Sequence, residues 1–224
     1  MAWQGRAWLG MARQGGAWQG LAWQGEARQG MARQRLLFMK GGENMKVINV
    51  TIQGVTPLLY NRFRDSEIEG KSKKRTGSPT QADVIDKLYM LNDKPYIPAV
   101  YFRNSLVEAG KQFKITGKGK STYSKIIAST VEITPEAITN DNPWEVFRIA
   151  AVNPMTKGRM MVSRPRMNTW GCKLQIVLND DSVDPITVKE VLEHAGKYVG
   201  IGDWRPQTKG VFGKYMVTRF EESK

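Results

Sequence analysis

The stretch KVINVTIQG, residues 46–54, alternates: Ile48, Val50 and Ile52 share one face, and Val47, Asn49, Thr51 and Gln53 share the other. A period of two sustained this long predicts a β-strand buried on one side only. Its second face is polar, so the sheet it enters is expected to be covered by helices on one face and left open on the other.

Downstream, residues 64–78 lack apolar periodicity and end in a basic run, Lys71, Lys73, Lys74 and Arg75, which reads as a flexible loop. Ser78, Pro79 and Gln81 then supply a cap, a first-turn proline and a glutamine three residues after the cap, so ADVIDKLYML predicts a short helix over about 80–91. VYFRNSLVEAGKQF places Phe102, Leu106, Ala109 and Phe113 on one helical face. KIIASTVEI, 125–133, reads as a strand, and 146–152 and 159–164 read as two shorter strands of an excursion. A main strand over 170–179, a helix over about 187–198 and a last strand over 213–220 complete the chain. Without the excursions, at about 55–95 and 135–169, the order is β, α, β, β, α, β. That is the α+β, ferredoxin-like (RRM-like) arrangement. Its open sheet face would suit single-stranded RNA, as in RRM domains.

Upstream, residues 1–35 divide into pentads such as MAWQG, RAWLG and MARQG. A period of five matches neither 3.6 nor 2, so no element gathers Trp3, Trp8, Trp18 and Trp23 on one face. A Trp/Arg arm that stacks on single-stranded bases is one reading. The strict period favours another, tandem-repeat DNA read in frame. Lys40-Gly41-Gly42 can be encoded by a run containing AAGGAGG, a ribosome-positioning signal a short distance before the codon of Met45. Residues 1–44 are therefore expected to be a disordered leader absent from the native product. Residues 45–224 are expected to form the domain, encoded by a bacterium or a bacterial virus.

The formal charge is +13, from 34 Lys+Arg and 21 Asp+Glu. Setting aside the leader's six basic and two acidic residues leaves 28 against 19, or +9, so the basic bias belongs to the domain. Such a balance points to a phosphate-rich partner, nucleic acid before an anionic membrane, with a solubilising surface as the plain alternative. The single Cys172 excludes a disulfide framework and a cysteine-based zinc site. With no apolar run long enough to span a bilayer and no signal-peptide pattern, a soluble cytoplasmic protein without membrane contact is expected. No HExxH, Walker A or nucleophile-elbow motif is present, and no metal or cofactor is expected.

Two segments narrow the reading. YIPAVYFRNSLVEA, 96–109, leads into the first main helix, and GIGDWRPQTKGVFG, 200–213, precedes the last strand. Together they resemble the RAMP superfamily of CRISPR proteins, whose ferredoxin-like domains carry an IPGSSLKG-like lead-in to the first helix and a glycine-rich loop before the last strand. Ile97 and Pro98 match, Phe102 stands for the Leu and Arg103 for the Lys, and Gly200, Gly202, Gly210 and Gly213 supply the glycines. Ala99, Val100 and Tyr101 depart from Gly-Ser-Ser, and Asn104 from the next Gly.

The resemblance implies a guide-RNA-binding backbone subunit of a CRISPR effector ribonucleoprotein, working in antiviral defence. Copies of it would assemble along the RNA with other subunits, and target DNA or RNA would be a further partner. In such backbone proteins a thumb hairpin emerges between the middle strands and kinks the guide. Here 135–169 holds two short strands around Asn153-Pro154, with Met155, Met160, Met161 and Met167 as adaptable apolar surface. Lys157, Arg159, Arg164 and Arg166 are its candidate phosphate partners. A hairpin that packs on its own domain is the alternative.

The glycine-rich loop is expected to bring backbone N–H groups to phosphate, with Gly202 and Gly210 allowing close approach and Arg205, Lys209 and Lys214 adding charge. A helix cap and an ordinary turn would leave the same glycines. Trp204 would either stack on a base or plug the core. Arg103 lies near a helix start that favours phosphate, and Lys111 lies further along that helix; both also suit solvated cations. Lys73, Lys74 and Arg75 complete the candidate RNA contacts.

Catalysis has weaker candidates. His194 lies off the apolar positions Val188, Val191, Leu192, Ala195 and Val199, so it is expected on an exposed helix face. Some RAMP ribonucleases that process guide RNA use histidine, which makes a metal-independent endoribonuclease the main rival reading. Backbone RAMPs of one kind cut target RNA with a loop aspartate, for which Asp65 is the candidate and a solvated carboxylate the alternative. A viral single-strand nucleic-acid-binding protein is a third reading. Intact-mass measurement of the native protein is expected to give a chain starting at Met45; a mass that includes the pentads would overturn that start.

Overall fold

The computed structural model describes residues 45–63, 84–152, 155 and 157–223. The basic run Lys73, Lys74 and Arg75 and the candidate Asp65 lie outside the described residues.

Strand β1, Lys46–Gly54, sits inside a four-stranded antiparallel sheet. It pairs on one side with β9, Gly171–Leu178, and on the other with β10, Tyr215–Ser223. Strand β5, Val131–Thr134, closes the order β10-β1-β9-β5. The alternation read from the sequence survives: Ile48, Val50 and Ile52 are buried, while Asn49 and Gln53 are exposed. The pairing with β10 shifts between Thr51 and Ile52, where Thr218 is the extra residue and its hydroxyl donates to the Thr51 carbonyl at 3.1 Å.

Two helices cover the apolar face. Helix α1, Ala99–Ala109, continues as one 3₁₀ turn, Gly110–Gln112, and buries Phe102, Leu106 and Ala109 as their spacing predicts. Pro98 precedes it in an extended conformation, and the Ala99 amide donates to the Glu136 carbonyl at 2.9 Å. Helix α3, Pro185–His194, starts on a first-turn proline, buries Val188, Val191 and Leu192, and runs on as a π-helical turn, Ala195–Val199. Phe102 meets Tyr215 edge to face at 5.6 Å, which ties α1 to the last strand. The architecture is α+β, and every strand pairing among the described residues is antiparallel.

Two smaller sheets flank this one. Strands β2 (Leu58–Leu59), β8 (Arg159–Met167) and β7 (Glu145–Val152) form one, in the order β2-β8-β7. Strands β3 (Met90–Leu91), β4 (Lys94–Pro98) and β6 (Ala137–Thr139) form the other.

Two sequence expectations are corrected. The helix over about 80–91 does not reach its end: Val84 and Ile85 are its last helical residues, and Met90–Leu91 pairs with Lys94–Pro98 instead. Asn92 and Asp93 both take positive φ, 50° and 60°, the two-residue hairpin turn that these side chains favour, and turn chemistry overrides the apolar spacing. The strand over 125–133 is mostly helix. Helix α2, Tyr123–Thr130, precedes β5, and Ile127 and Thr130 are its buried side. Its β-branched isoleucines suggest a strand, but Tyr123, Ile127 and Thr130 follow helical spacing.

The core predicts its own test. Phe102 is fully buried between sheet and helices, so Phe102→Ala should lower unfolding stability in urea by ~3–5 kcal/mol. Val100, on the same helix and exposed, should tolerate alanine within ~0.5 kcal/mol.

Candidate nucleic-acid interface

The two segments singled out in the sequence meet in space. Tyr101, Asn104, Ser105 and Glu108 form a stripe along α1, set off from its buried apolar residues. Gly200, Ile201, Gly202, Arg205 and Gln207 of the glycine-rich loop face that stripe across a cleft of about 320 Å³. Ser105 lies 3.4 Å from the Tyr215 hydroxyl, and the Tyr101 hydroxyl donates to that of Tyr89 at 3.4 Å. Burial, and then the bond to Tyr89, pushes the Tyr101 hydroxyl well above its ordinary range, so it stays protonated as a donor. Cys172, buried under the sheet, has its thiol pushed up to about 12 and stays an uncharged thiol at neutral pH.

The loop is closed on itself. Ile201 donates to Gly213, Phe212 to Trp204, Gly210 to Arg205, and Asp203 to Leu59 of β2, at 2.9–3.1 Å. The amides of Gly200, Thr208, Lys209 and Gly213 are engaged in the same way. At Gly202, φ is +78° and an added Cβ would sit 2.6 Å from the Leu59 carbonyl oxygen; at Gly210 it would sit 1.7 Å from that of Trp204. These glycines allow backbone to approach backbone. The expectation that Gly202 and Gly210 bring amides to phosphate is narrowed: the Gly210 amide is already committed to Arg205, as most amides of the loop are to other carbonyls, and the loop also offers side chains.

Arg205 shows how. Its guanidinium donates to the Gly202 carbonyl at 3.0 Å and to Gln207 Oε1 at 2.8 Å, which holds it half-buried on the cleft wall. Lys209 follows at φ 64° with an exposed side chain, and the Lys214 backbone is anchored by Thr56. The Trp204 ring, half-buried, lies 6.5 Å from that of Phe212.

The β7–β8 hairpin docks its base on this loop. Arg164 pairs with Asp203 at 2.8 Å, their side chains 17% and 23% exposed, and Phe147 meets Phe212 at 5.6 Å. Arg166 lies 4.6 Å over the Phe147 ring and binds Glu145. That bond first, then one from Asn168, holds the Glu145 carboxyl below its usual range. The far end is different: Val152, Met155 (90% exposed) and Met161 sit with the exposed Lys157 and Arg159. The base of the hairpin thus packs on its own domain, as the alternative reading expects there.

The structure thus gathers Arg164, Arg166, Gly202, Trp204, Arg205, Lys209, Gly210 and Lys214 around the loop and hairpin base, and leaves Lys157 and Arg159 at the hairpin tip. Arg103 and Lys111 go elsewhere: Arg103 donates to the Ala128 carbonyl, linking α1 to α2, and Lys111 pairs with Glu108 at 2.5 Å. His194 is half-buried rather than exposed, between Phe113 at 5.4 Å and Tyr198 at 4.6 Å. Its Nδ1 finds no hydrogen-bond partner among the described residues.

The open sheet face carries Asn49, Thr51, Gln53, Lys173, Gln175, Arg219 and Glu221, with Gln175 donating to Asn49 at 2.9 Å. None of these is aromatic, and an RRM surface needs aromatics on the sheet for bases to stack on; the RRM-like use of that face is corrected. Sequence reading missed Tyr101, Asn104, Ser105 and Gln207, although the i, i+3, i+4, i+7 spacing of Tyr101, Asn104, Ser105 and Glu108 was the available signal. If the Arg164–Asp203 pair pins hairpin to loop, a double-alanine cycle in urea should give a coupling of ~1 kcal/mol. Additive losses would mean that the aromatic contacts alone hold them together.

No protein-family profile and no curated protein matches the chain. Among solved structures it is similar to a chain of the cryo-EM structure of Type III-B Cmr-beta bound to cognate target RNA, at a TM-score of 0.52 and 12% identity, covering 89% of this chain and 67% of that one. It is also similar to Cmr6 from Pyrococcus furiosus, at a TM-score of 0.41 and 11% identity, covering 77% of this chain and 98% of that one. The likeness to the Cmr-beta chain is one of fold, and it agrees with the RAMP resemblance drawn from residues 96–109 and 200–213.

Proposed function

We propose that the chain is a guide-RNA-binding subunit of a CRISPR-type ribonucleoprotein. The observation that carries this reading is the cleft: two segments about a hundred residues apart in sequence, chosen for their RAMP-like motifs, line the same depression. The order β1, α1, β5, β9, α3, β10 with the sheet order β10-β1-β9-β5 supports a ferredoxin-like βαββαβ domain, in which β7–β8 is an inserted thumb. The fold shared with a chain of an RNA-bound Cmr-beta assembly supports RNA as the ligand.

In this reading the cleft grips single-stranded guide RNA through side chains. Arg205 takes a phosphate from its braced position, Lys209 and Lys214 add charge at the rim, and Asn104 and Gln207 offer amide donors and acceptors to sugar or base. The hairpin tip, with Lys157 and Arg159 beside Val152 and Met161, combines phosphate contacts with apolar surface suited to wedging between bases. Copies then follow one another along the guide in the cytoplasm, alongside other effector subunits, with a complementary target strand as a later partner. No described helix is long and apolar enough to cross a membrane.

The endoribonuclease reading would rest on His194. Its ring neighbours are Phe113 and Tyr198, neither of them an acid–base partner at neutral pH. Purification under native conditions followed by sequencing of bound nucleic acid should recover RNA of one repeated origin. Binding of single-stranded RNA should weaken with salt by a log–log slope of about −0.7 per phosphate contacted. Arg205→Ala should weaken it roughly tenfold. Salt-independent binding, or equal affinity for DNA with no guide recovered, would overturn the proposal.

A further inference from the structure

A second cluster lies outside the loop and hairpin. Phe113, His194 and Tyr198 form a run of rings, with centroids 5.4 Å and then 4.6 Å apart. Tyr198 is 54% exposed, and the Lys197 ammonium lies 5.1 Å over its ring. The π-helical turn sets this arrangement. It buries Ala195, Gly196 and Val199, and it turns Lys197 and Tyr198 to solvent. An added Cβ on Gly196 would sit 2.2 Å from the Tyr215 carbonyl oxygen, so the turn is pressed against β10 and its outward side is fixed. π-Helical turns of this kind are rare and concentrate at functional sites.

A basic loop springs from the same place. Residues 109–122 hold four lysines, Lys111, Lys114, Lys118 and Lys120, and no acidic residue. The loop is closed at its base, where Tyr123 donates to the Phe113 carbonyl at 3.0 Å and Ile115 to that of Ser121 at 2.9 Å. Lys114, Lys118 and Lys120 are exposed. Glu108 joins this region to the cleft: it lines the cleft and pairs with Lys111, two residues before Phe113.

We infer that Tyr198, backed by His194 and Phe113 and flanked by the Lys114–Lys120 loop, is a second contact for single-stranded RNA that extends the strand path beyond the cleft. It rests on the RNA-binding reading of the cleft. An exposed aromatic face beside lysines is the chemistry of a base-stacking platform in a basic groove. The C-terminal end of a helix repels phosphate and favours cations, so the ring takes the base while the loop lysines take the backbone. Lys197 now covers the Tyr198 ring; a base that replaces it releases the ammonium towards a phosphate. The exposed members are tyrosine and lysine rather than aliphatic side chains, which suits a nucleic acid better than a lipid surface. Stacking reads no base edge, so the contact tolerates any sequence.

The test uses the full chain, a single-stranded uridine homopolymer and a salt titration. Tyr198→Ala should weaken binding roughly tenfold, whereas Tyr198→Trp should retain it. The double variant Lys118→Glu, Lys120→Glu should reduce the magnitude of the salt slope by ~0.7 for each phosphate that is no longer neutralised. Unchanged affinity in Tyr198→Ala, with Arg205→Ala still impaired, would overturn the second contact and leave the cleft reading intact. No RNA binding by the unaltered chain would overturn both, and Tyr198-dependent binding to anionic vesicles in place of RNA would overturn the inference in favour of a lipid surface.

Discussion

Everything described depends on β1 being held between two strands that come from the far end of the chain. Lys46–Gly54 pairs along its whole length with β9 and β10, and its inward residues Ile48, Val50 and Ile52 are sealed from water. A strand paired on both edges has one register that keeps these residues inside, because a slip by one would expose all of them and bury Asn49 and Gln53 unpaired. At its end, Gly54 donates to the Trp170 carbonyl at 2.8 Å, and an added Cβ there would lie 2.3 Å from the Trp170 ring. Trp170 in turn donates its indole N–H to the Thr56 carbonyl at 2.7 Å. The exit of the chain from β1 is therefore fixed as firmly as the strand.

That exit positions the candidate interface. Residues 55–60 run from β1 beneath the glycine-rich loop and supply carbonyls to it: Pro57 accepts from Gly213, and Leu59 accepts from Asp203. Tyr60 continues the path by donating its own amide to Pro165 of the hairpin at 3.0 Å. One short segment thus reaches both the loop and the hairpin base. With α1 fixed on the sheet by Phe102 and Leu106, the outer stripe of that helix has one place to face, and the cleft is the gap left between two rigid walls.

Much of this was legible because it rests on periodicity. The alternation in 46–54 and the spacing of Phe102, Leu106 and Ala109 gave the central strand and the main helix, and the glycines of 200–213 marked a loop of unusual backbone geometry. What escaped depends on contacts between distant residues. Asn92 and Asp93 made a hairpin where apolar spacing suggested continuing helix, and KIIASTVEI held a helix and a strand in nine residues too short to show either period. Arg103 looked like a cation free for phosphate, but its partner, the Ala128 carbonyl, comes from another helix and leaves no trace near it in sequence. His194 escaped only in part: Tyr198 lies one helical turn on, at a spacing visible in the sequence, but Phe113 follows the 3₁₀ turn at the end of α1 and leaves no trace near His194 in sequence.

If the cleft binds RNA as proposed, the many amides that the glycine-rich loop spends on itself change what kind of binding it can support. A row of free N–H groups would recognise phosphate by fixed geometry and would lose little entropy doing so. Here much of that geometry is spent on holding Ile201 to Gly213 and Trp204 to Phe212, and in the proposed reading recognition passes to Arg205, Gln207 and Asn104, which line the cleft. Long side chains adapt to a strand whose backbone varies from one nucleotide to the next, at the cost of ordering them on binding. Arg205 lowers that cost because the Gly202 carbonyl and Gln207 already hold its guanidinium in place. In the proposed reading the glycines serve recognition indirectly: by letting the loop fold tightly, they make the scaffold on which one arginine is ordered before any ligand arrives.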